Sequence, residues 1–165
     1  FHDPLNPKKE PMSVFISGNY YLIEKIISEK DYEKIYYIGI SGGGWFVTIL
    51  SAFITEIDKS YSFASLVPLS LRYLGPKGDW EASKSKFYKD MNYYDLFNLT
   101  TLDKKFKSNR YHTLVYNKYD DCCFGKPWST IMRDVGMNLK SKYFKVEELD
   151  IYKHVIDKQF LFNQF

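Results

Sequence analysis

"YYIGISGGGWFVTILSAF", residues 36–53, decides how the rest of the chain is read. An apolar run leads in, four glycines and one serine occupy five of the six positions 39–44, and a second apolar run leads out. The first part, extended back as "KIYYIGI" from Lys34, is rich in β-branched and aromatic residues and predicts a short buried strand. The second, "GWFVTILSAFITEI", predicts a helix that is apolar nearly all round and hence deeply packed. Glycine loses more conformational freedom on folding than any other residue, so Gly39, Gly42, Gly43 and Gly44 around Ser41 imply a backbone shape or a close approach that a side chain would forbid. Gly39-Ile40-Ser41-Gly42-Gly43 fits G-x-S-x-G, in which a serine sits on a sharp strand-to-helix turn between small neighbours. There the N–H of Gly42 donates to a developing oxyanion, and the start of the helix adds a dipole favourable to negative charge. The bland alternative is a glycine-rich turn that only packs tightly. Nucleotide binding fits less well, because neither G-x-G-x-x-G nor a lysine-bearing phosphate loop is present and no acidic ribose partner stands at the required offset.

Outward from this stretch, strand and helix signals alternate. Ser13 predicts the cap of a helix running to about Lys30, with Val14, Tyr21, Ile23, Ile26 and Ile27 on its apolar face. "YSFASLVPLS" (61–70), "RYHTLVYNKYD" (110–120) and "YFKVEELDI" (143–151) predict three further strands, and "PWSTIMRDVGMNLKSK" and "HVIDKQFLFNQF" two further helices. Residues 71–109 are looser and predict loops and short helices inserted between strands. This alternation argues for an α/β domain spanning 1–165, a mostly parallel sheet with helices on both faces.

Composition narrows the function classes. With 165 residues and 45% hydrophobic content there is material for one real core. The 23 basic and 20 acidic residues are interspersed, and a net charge of +3 is too mild to argue for nucleic acid. No apolar run reaches the ~18 residues of a membrane span; residues 36–54 come closest, and the glycine cluster and serine break them. Cys122 and Cys123 are the only cysteines, and as neighbours they read as two free thiols, with no zinc-ligand spacing and no C-x-x-C pair. No cofactor and no metal is expected, and nothing in the chain indicates a compartment.

A serine nucleophile needs a base, and the base an orienting acid. Of the three histidines, His2 lies in the proline-rich lead-in and His112 lies inside a strand. His154 lies in the polar turn "LDIYKHVID" before the last helix, where a ring can swing over neighbouring strand ends. Asp120 and Asp121 stand where the third strand runs out, and either one completes the chain order Ser, Asp, His of the nucleophile-elbow fold.

"IGISGGGW", "LVYNKYDDCCF" and "LDIYKHVI", with "GDWE" (78–81) and "YYDLF" (93–97), resemble in type and order the α/β-hydrolase superfamily, and within it a group of bacterial-type esterases. The resemblance runs from about Met12 to the end. It implies a serine hydrolase with Ser41 as nucleophile, Gly42 as an oxyanion donor, His154 as base and Asp120 as acid, acting on a small ester or amide. Asp120 falls three residues after Asn117, where the group has the glycine of a G-x-x-D turn, so Asp121 stays open as the acid. Residues 71–109 would supply a lid or substrate wall. Such hydrolases place several strands before the elbow, and residues 1–38 offer room for one helix. The expectation is a fragment, a sheet completed by a second chain, or a hydrolase-like subunit without catalysis that serves a larger assembly.

Overall fold

The computed structural model describes residues 11–72, 86–139 and 141–165. The lead-in and the "GDWE" stretch fall outside the described residues. Helix α1 (Pro11–Glu29) is followed by β1 (Tyr36–Ile40), α2 (Gly42–Phe53) and β2 (Lys59–Phe63). A 3-10 turn (Leu69–Leu71), the short helices α3 (Phe87–Asp90) and α4 (Tyr93–Leu99), then β3 (Tyr111–Asn117), α5 (Trp128–Leu139), β4 (Phe144–Leu149) and α6 (Lys158–Phe162) complete the order. The four strands form one sheet in sequential order, and every pair is parallel. Ile40 pairs with Phe63, Phe63 with Val115 and Val115 with Glu147, so the strands end close together at their carboxyl edge.

Each face of the sheet buries a different set of residues, as the period of two along a strand requires. Leu114 and Tyr116 of β3 pack with Trp45 and Ile49 of α2, Phe97 of α4 and Met132 of α5. Tyr61, Phe63 and Val115 face the other way, where Phe160 and Leu161 of α6 cover them. Helices on both faces of a parallel sheet make this an α/β domain. Gly136 lets α5 lie against β4, since a Cβ there would stand 2.5 Å from Val146 Cγ2. Within the described part of the insertion, α4 belongs to the core: Tyr93, Leu96 and Phe97 are buried.

Two expectations need correction. The inward face of α1 carries Met12, Ile16, Ile23 and Ile27, spaced at the i, i+4 and i, i+7 of one helix face, while Val14, Tyr21 and Ile26 are exposed. The second strand is Lys59–Phe63 rather than 61–70. Its chain breaks at Ala64 (φ 41°), and Leu66 and Val67 are buried in the loop beyond. An apolar run marks burial there, not extension.

Arg110 sits buried at the amino edge of the sheet. Its guanidinium donates to the carbonyls of Ser51 (2.6 Å), Ile54 (2.7 Å) and Leu99 (2.9 Å), closing the carboxyl ends of α2 and α4. Burial pulls its pKa down to about 10, against the opposing pull of the carboxylates Glu56, Asp103 and Asp58. Beside it, His112 is fully enclosed, with Nδ1 2.6 Å from Ser60 Oγ and Nε2 3.2 Å from Thr48 Oγ1. Burial, and then the Arg110 charge, push its pKa down to about 3. His112 is a neutral fastener between β2, β3 and α2.

Candidate active site

Ser41 stands between the last residue of β1 and the first of α2 with φ 56° and ψ −129°. This is a region that residues with a Cβ rarely occupy, costing roughly 1–3 kcal/mol where the surroundings enforce it. An ordinary serine before a helix adopts extended backbone and accepts a hydrogen bond from the first turn, worth ~1 kcal/mol. Ser41 makes no such cap bond. Ser41 is therefore not a helix cap: its hydroxyl accepts nothing from the first turn and its backbone is strained.

The strain is held from several sides. Ser41 N–H donates to Phe63 O (2.9 Å), carrying the β1–β2 ladder one residue past the strand, and Trp45 N–H donates to Ser41 O (3.0 Å). A Cβ on Gly39 would lie 2.5 Å from Gly43 O, and one on Gly44 would lie 2.6 Å from Ser65 Cβ. Gly39 thus lets the turn fold back on itself, and Gly44 lets α2 settle onto the exit of β2. Around Gly42 and Gly43 a Cβ meets nothing within 4 Å. The turn needs the small residue at 39, not at 43. As the first residues of α2, Gly42 and Gly43 have N–H groups with no acceptor inside the helix. Below the turn, Ser62 Oγ donates to Gly44 O (2.7 Å) and lies 3.2 Å from Thr48 Oγ1, so small polar side chains hold helix and sheet close.

Asp120 and His154 meet two strands away. His154 Nδ1 lies 2.7 Å from Asp120 Oδ2. The Asp120 side chain is wholly buried, and its other oxygen, Oδ1, accepts from the backbone N–H groups of Cys122 (2.8 Å) and Cys123 (3.2 Å). Asp121 is exposed and lies outside this contact. Gly125 closes the loop under Asp120, where a Cβ would lie 2.3 Å from Asp120 O.

The loops that carry the acid and the histidine are stitched together. Asn117 Nδ2 donates to the carbonyls of Lys153 and Val155, both at 2.8 Å, gripping the residues on either side of His154. Lys118 N–H donates to Leu149 O (2.8 Å) and Tyr119 N–H to Ile151 O (3.0 Å). The rings of Tyr119 and Tyr152 stack at 4.5 Å. The sequence singles out position 117 only as an asparagine where the esterase group has glycine. Its grip on residues up to 38 positions away is a tertiary fact with no local signal.

Ser41, Asp120 and His154 all leave the carboxyl edge of the parallel sheet, the side on which open α/β sheets bind ligands. Asp120 and His154 are joined, whereas among the described residues no hydrogen bond links Ser41 Oγ to His154. His2 lies outside the described residues, and His112 is committed to the core. Among the described residues no helix is long and apolar enough to cross a membrane. Neither protein-family models nor curated proteins give a match to the chain.

Proposed function

We propose that this chain is a serine hydrolase of the α/β-hydrolase type, transferring the acyl group of a small ester or amide through an acyl-Ser41 intermediate. The observation that carries the proposal is the backbone of Ser41: strained, uncapped and set between a parallel strand and a buried helix. A turn that only packed tightly would have no reason to keep a serine there. The Asp120–His154 pair, with its acid buried and its ring 24% exposed, supports the same reading.

In this reading Ser41 Oγ attacks the carbonyl carbon while His154 Nε2 takes its proton and later returns it to the leaving group. Asp120 keeps the proton on Nδ1 and stabilises the imidazolium that forms. The N–H of Gly42, free of any intrahelical partner, donates to the oxyanion, a contact whose loss typically costs ~10²–10³ in turnover.

A fluorophosphonate probe tests this directly. Ser41 should become labelled and Ser41→Ala should not. A chain that resists the probe both alone and in its assembled form, or a Ser41→Ala variant that labels equally, overturns the proposal.

One observation favours a second reading, a hydrolase-like module that serves an assembly without catalysis. β1 pairs only with β2 among the described strands, and α1 beside it exposes Val14, Tyr21, Leu22 and Ile26. A strand paired on one side only among the described residues, with an apolar helix face alongside, invites a partner. A soluble monomer that hydrolyses a short acyl ester would exclude this reading.

A further inference from the structure

Cys122 and Cys123 are free thiols, the first exposed and the second half-buried. In sequence they are merely adjacent, but the fold brings a third group to them. One ring nitrogen of His154 and the two Sγ atoms all lie within 4.8 Å of one another. A tetrahedral zinc ion with Zn–S of about 2.3 Å and Zn–N of about 2.0–2.1 Å spaces such ligands by roughly 3.5–3.8 Å. The three atoms therefore stand within small side-chain rotations of a metal-binding triangle.

The support behind the triangle is as specific as the triangle itself. The Asp120 carboxylate orients all three residues: Oδ2 holds the His154 ring through Nδ1, and Oδ1 holds the backbone N–H groups of Cys122 and Cys123. Because Nδ1 is bonded to the carboxylate, a cation bound by this ring would be held at Nε2. A histidine whose other nitrogen donates to a carboxylate is the usual arrangement behind a metal-bound imidazole. Two thiolates and an imidazole are soft and borderline ligands that select zinc-like ions over magnesium or calcium.

We propose that Cys122, Cys123 and His154 form a binding site for one thiophilic divalent cation, with solvent as fourth ligand and Asp120 as the residue that orients the site. Binding releases the two thiol protons to solvent. The consequence for catalysis rests on the hydrolase reading above. The His154 lone pair that accepts the Ser41 proton is the one the cation would take, so metal occupancy and hydrolysis exclude each other. The site then acts as a reversible metal-dependent brake on Ser41.

The test uses the full chain, reduced and metal-free, titrated with Co²⁺. One equivalent should bind, with a thiolate-to-metal charge-transfer band and the visible bands of a tetrahedral site, and Zn²⁺ should displace it. Cys122→Ser/Cys123→Ser should abolish the charge-transfer band, His154→Ala should weaken binding at least tenfold, and Asp120→Asn should weaken it ~10–100-fold, as outer-shell losses do. Far-ultraviolet circular dichroism shows that each variant is folded. Absence of the band in the unaltered chain overturns the site. So does unchanged Co²⁺ affinity in the folded double-cysteine variant or in His154→Ala. In a second arm, Zn²⁺ should block fluorophosphonate labelling of Ser41 and a chelator should restore it. Labelling indifferent to bound Zn²⁺ overturns the brake, whereas a spectroscopically intact site on a chain that never labels overturns the hydrolase reading and leaves the metal site standing.

Discussion

Replacing Ser41 with glycine should remove catalysis and, at the same time, leave the fold as stable as before or more so. The serine holds φ 56° and ψ −129°, a conformation that costs roughly 1–3 kcal/mol for a residue with a Cβ and little for glycine. Glycine brings its own penalty of roughly 0.5–1 kcal/mol from the freer unfolded chain. No helix cap is forfeited, since none is made. The balance is a gain of roughly 0–2 kcal/mol, where 1 kcal/mol corresponds to about 2–4 °C in Tm for a domain of this size. Ser41→Ala keeps the Cβ and hence the strain, so it separates the two effects. Both variants should lose fluorophosphonate labelling, and turnover should fall by ~10⁶, the scale seen when a serine nucleophile is removed. Urea denaturation of the two, compared as midpoints at equal m, reads the difference. If Ser41→Gly is no more stable than Ser41→Ala, the strain argument is wrong; if either still labels, the nucleophile is elsewhere.

The glycines around the elbow should part company. Gly39→Ala, which drives a Cβ to 2.5 Å from Gly43 O, should cost roughly 1–3 kcal/mol. Gly43→Ala meets nothing and should stabilise α2 by roughly 0.5–1 kcal/mol, and thermal denaturation of both variants checks the pair. His112, with its folded pKa down to about 3, binds its proton more readily in the unfolded chain. Its contribution is therefore complete above the unfolded value near 6.5 and is lost as pH falls towards about 3, at about 1.4 kcal/mol per pH unit. Urea midpoints across that window should show the slope, and His112→Gln should remove this part of it. Asn117→Ala releases both carbonyls that flank His154. It should slow Ser41 labelling by ~10²-fold through a misplaced base, measured as the rate of probe incorporation.

The α/β layout and the strand-to-helix turn at Ser41 are legible because both are written in local pattern. Apolar periodicity marks β1 and α2, and a strand, a glycine cluster and a helix in succession allow few turns. The positions of Asp120 and His154 were legible for a related reason: each follows a strand end, and strand ends of a parallel sheet share one edge. What stayed hidden depends on residues distant in sequence. Asn117 reaches across to Lys153 and Val155, and Arg110 gathers carbonyls from two helices. Gly125 is needed only because the chain folds under Asp120. The cysteine pair gains a histidine neighbour only when the loops after β3 and β4 are stitched. The inward face of α1 is not legible in the sequence because β-branched and aromatic residues lie all around that helix, and which ones turn inward is decided by α2 and β1.

The buried guanidinium of Arg110 has an electrical consequence at the opposite end of the domain. It terminates α2 at Ser51 and Ile54, and α2 begins at Gly42, beside Ser41. A helix of 12 residues is about 18 Å long, so a full positive charge stands one helix length behind the hydroxyl. At an effective dielectric of ~20 such a charge alone lowers the energy of an anion at the far end by about 1 kcal/mol, a pull that the carboxylates Glu56, Asp103 and Asp58 around Arg110 oppose. It also neutralises the half-negative pole of α2, leaving the positive pole at the glycines without its counterweight. The helix is biased along its whole length, so that the residue with least visible connection to the serine helps set the potential at its hydroxyl.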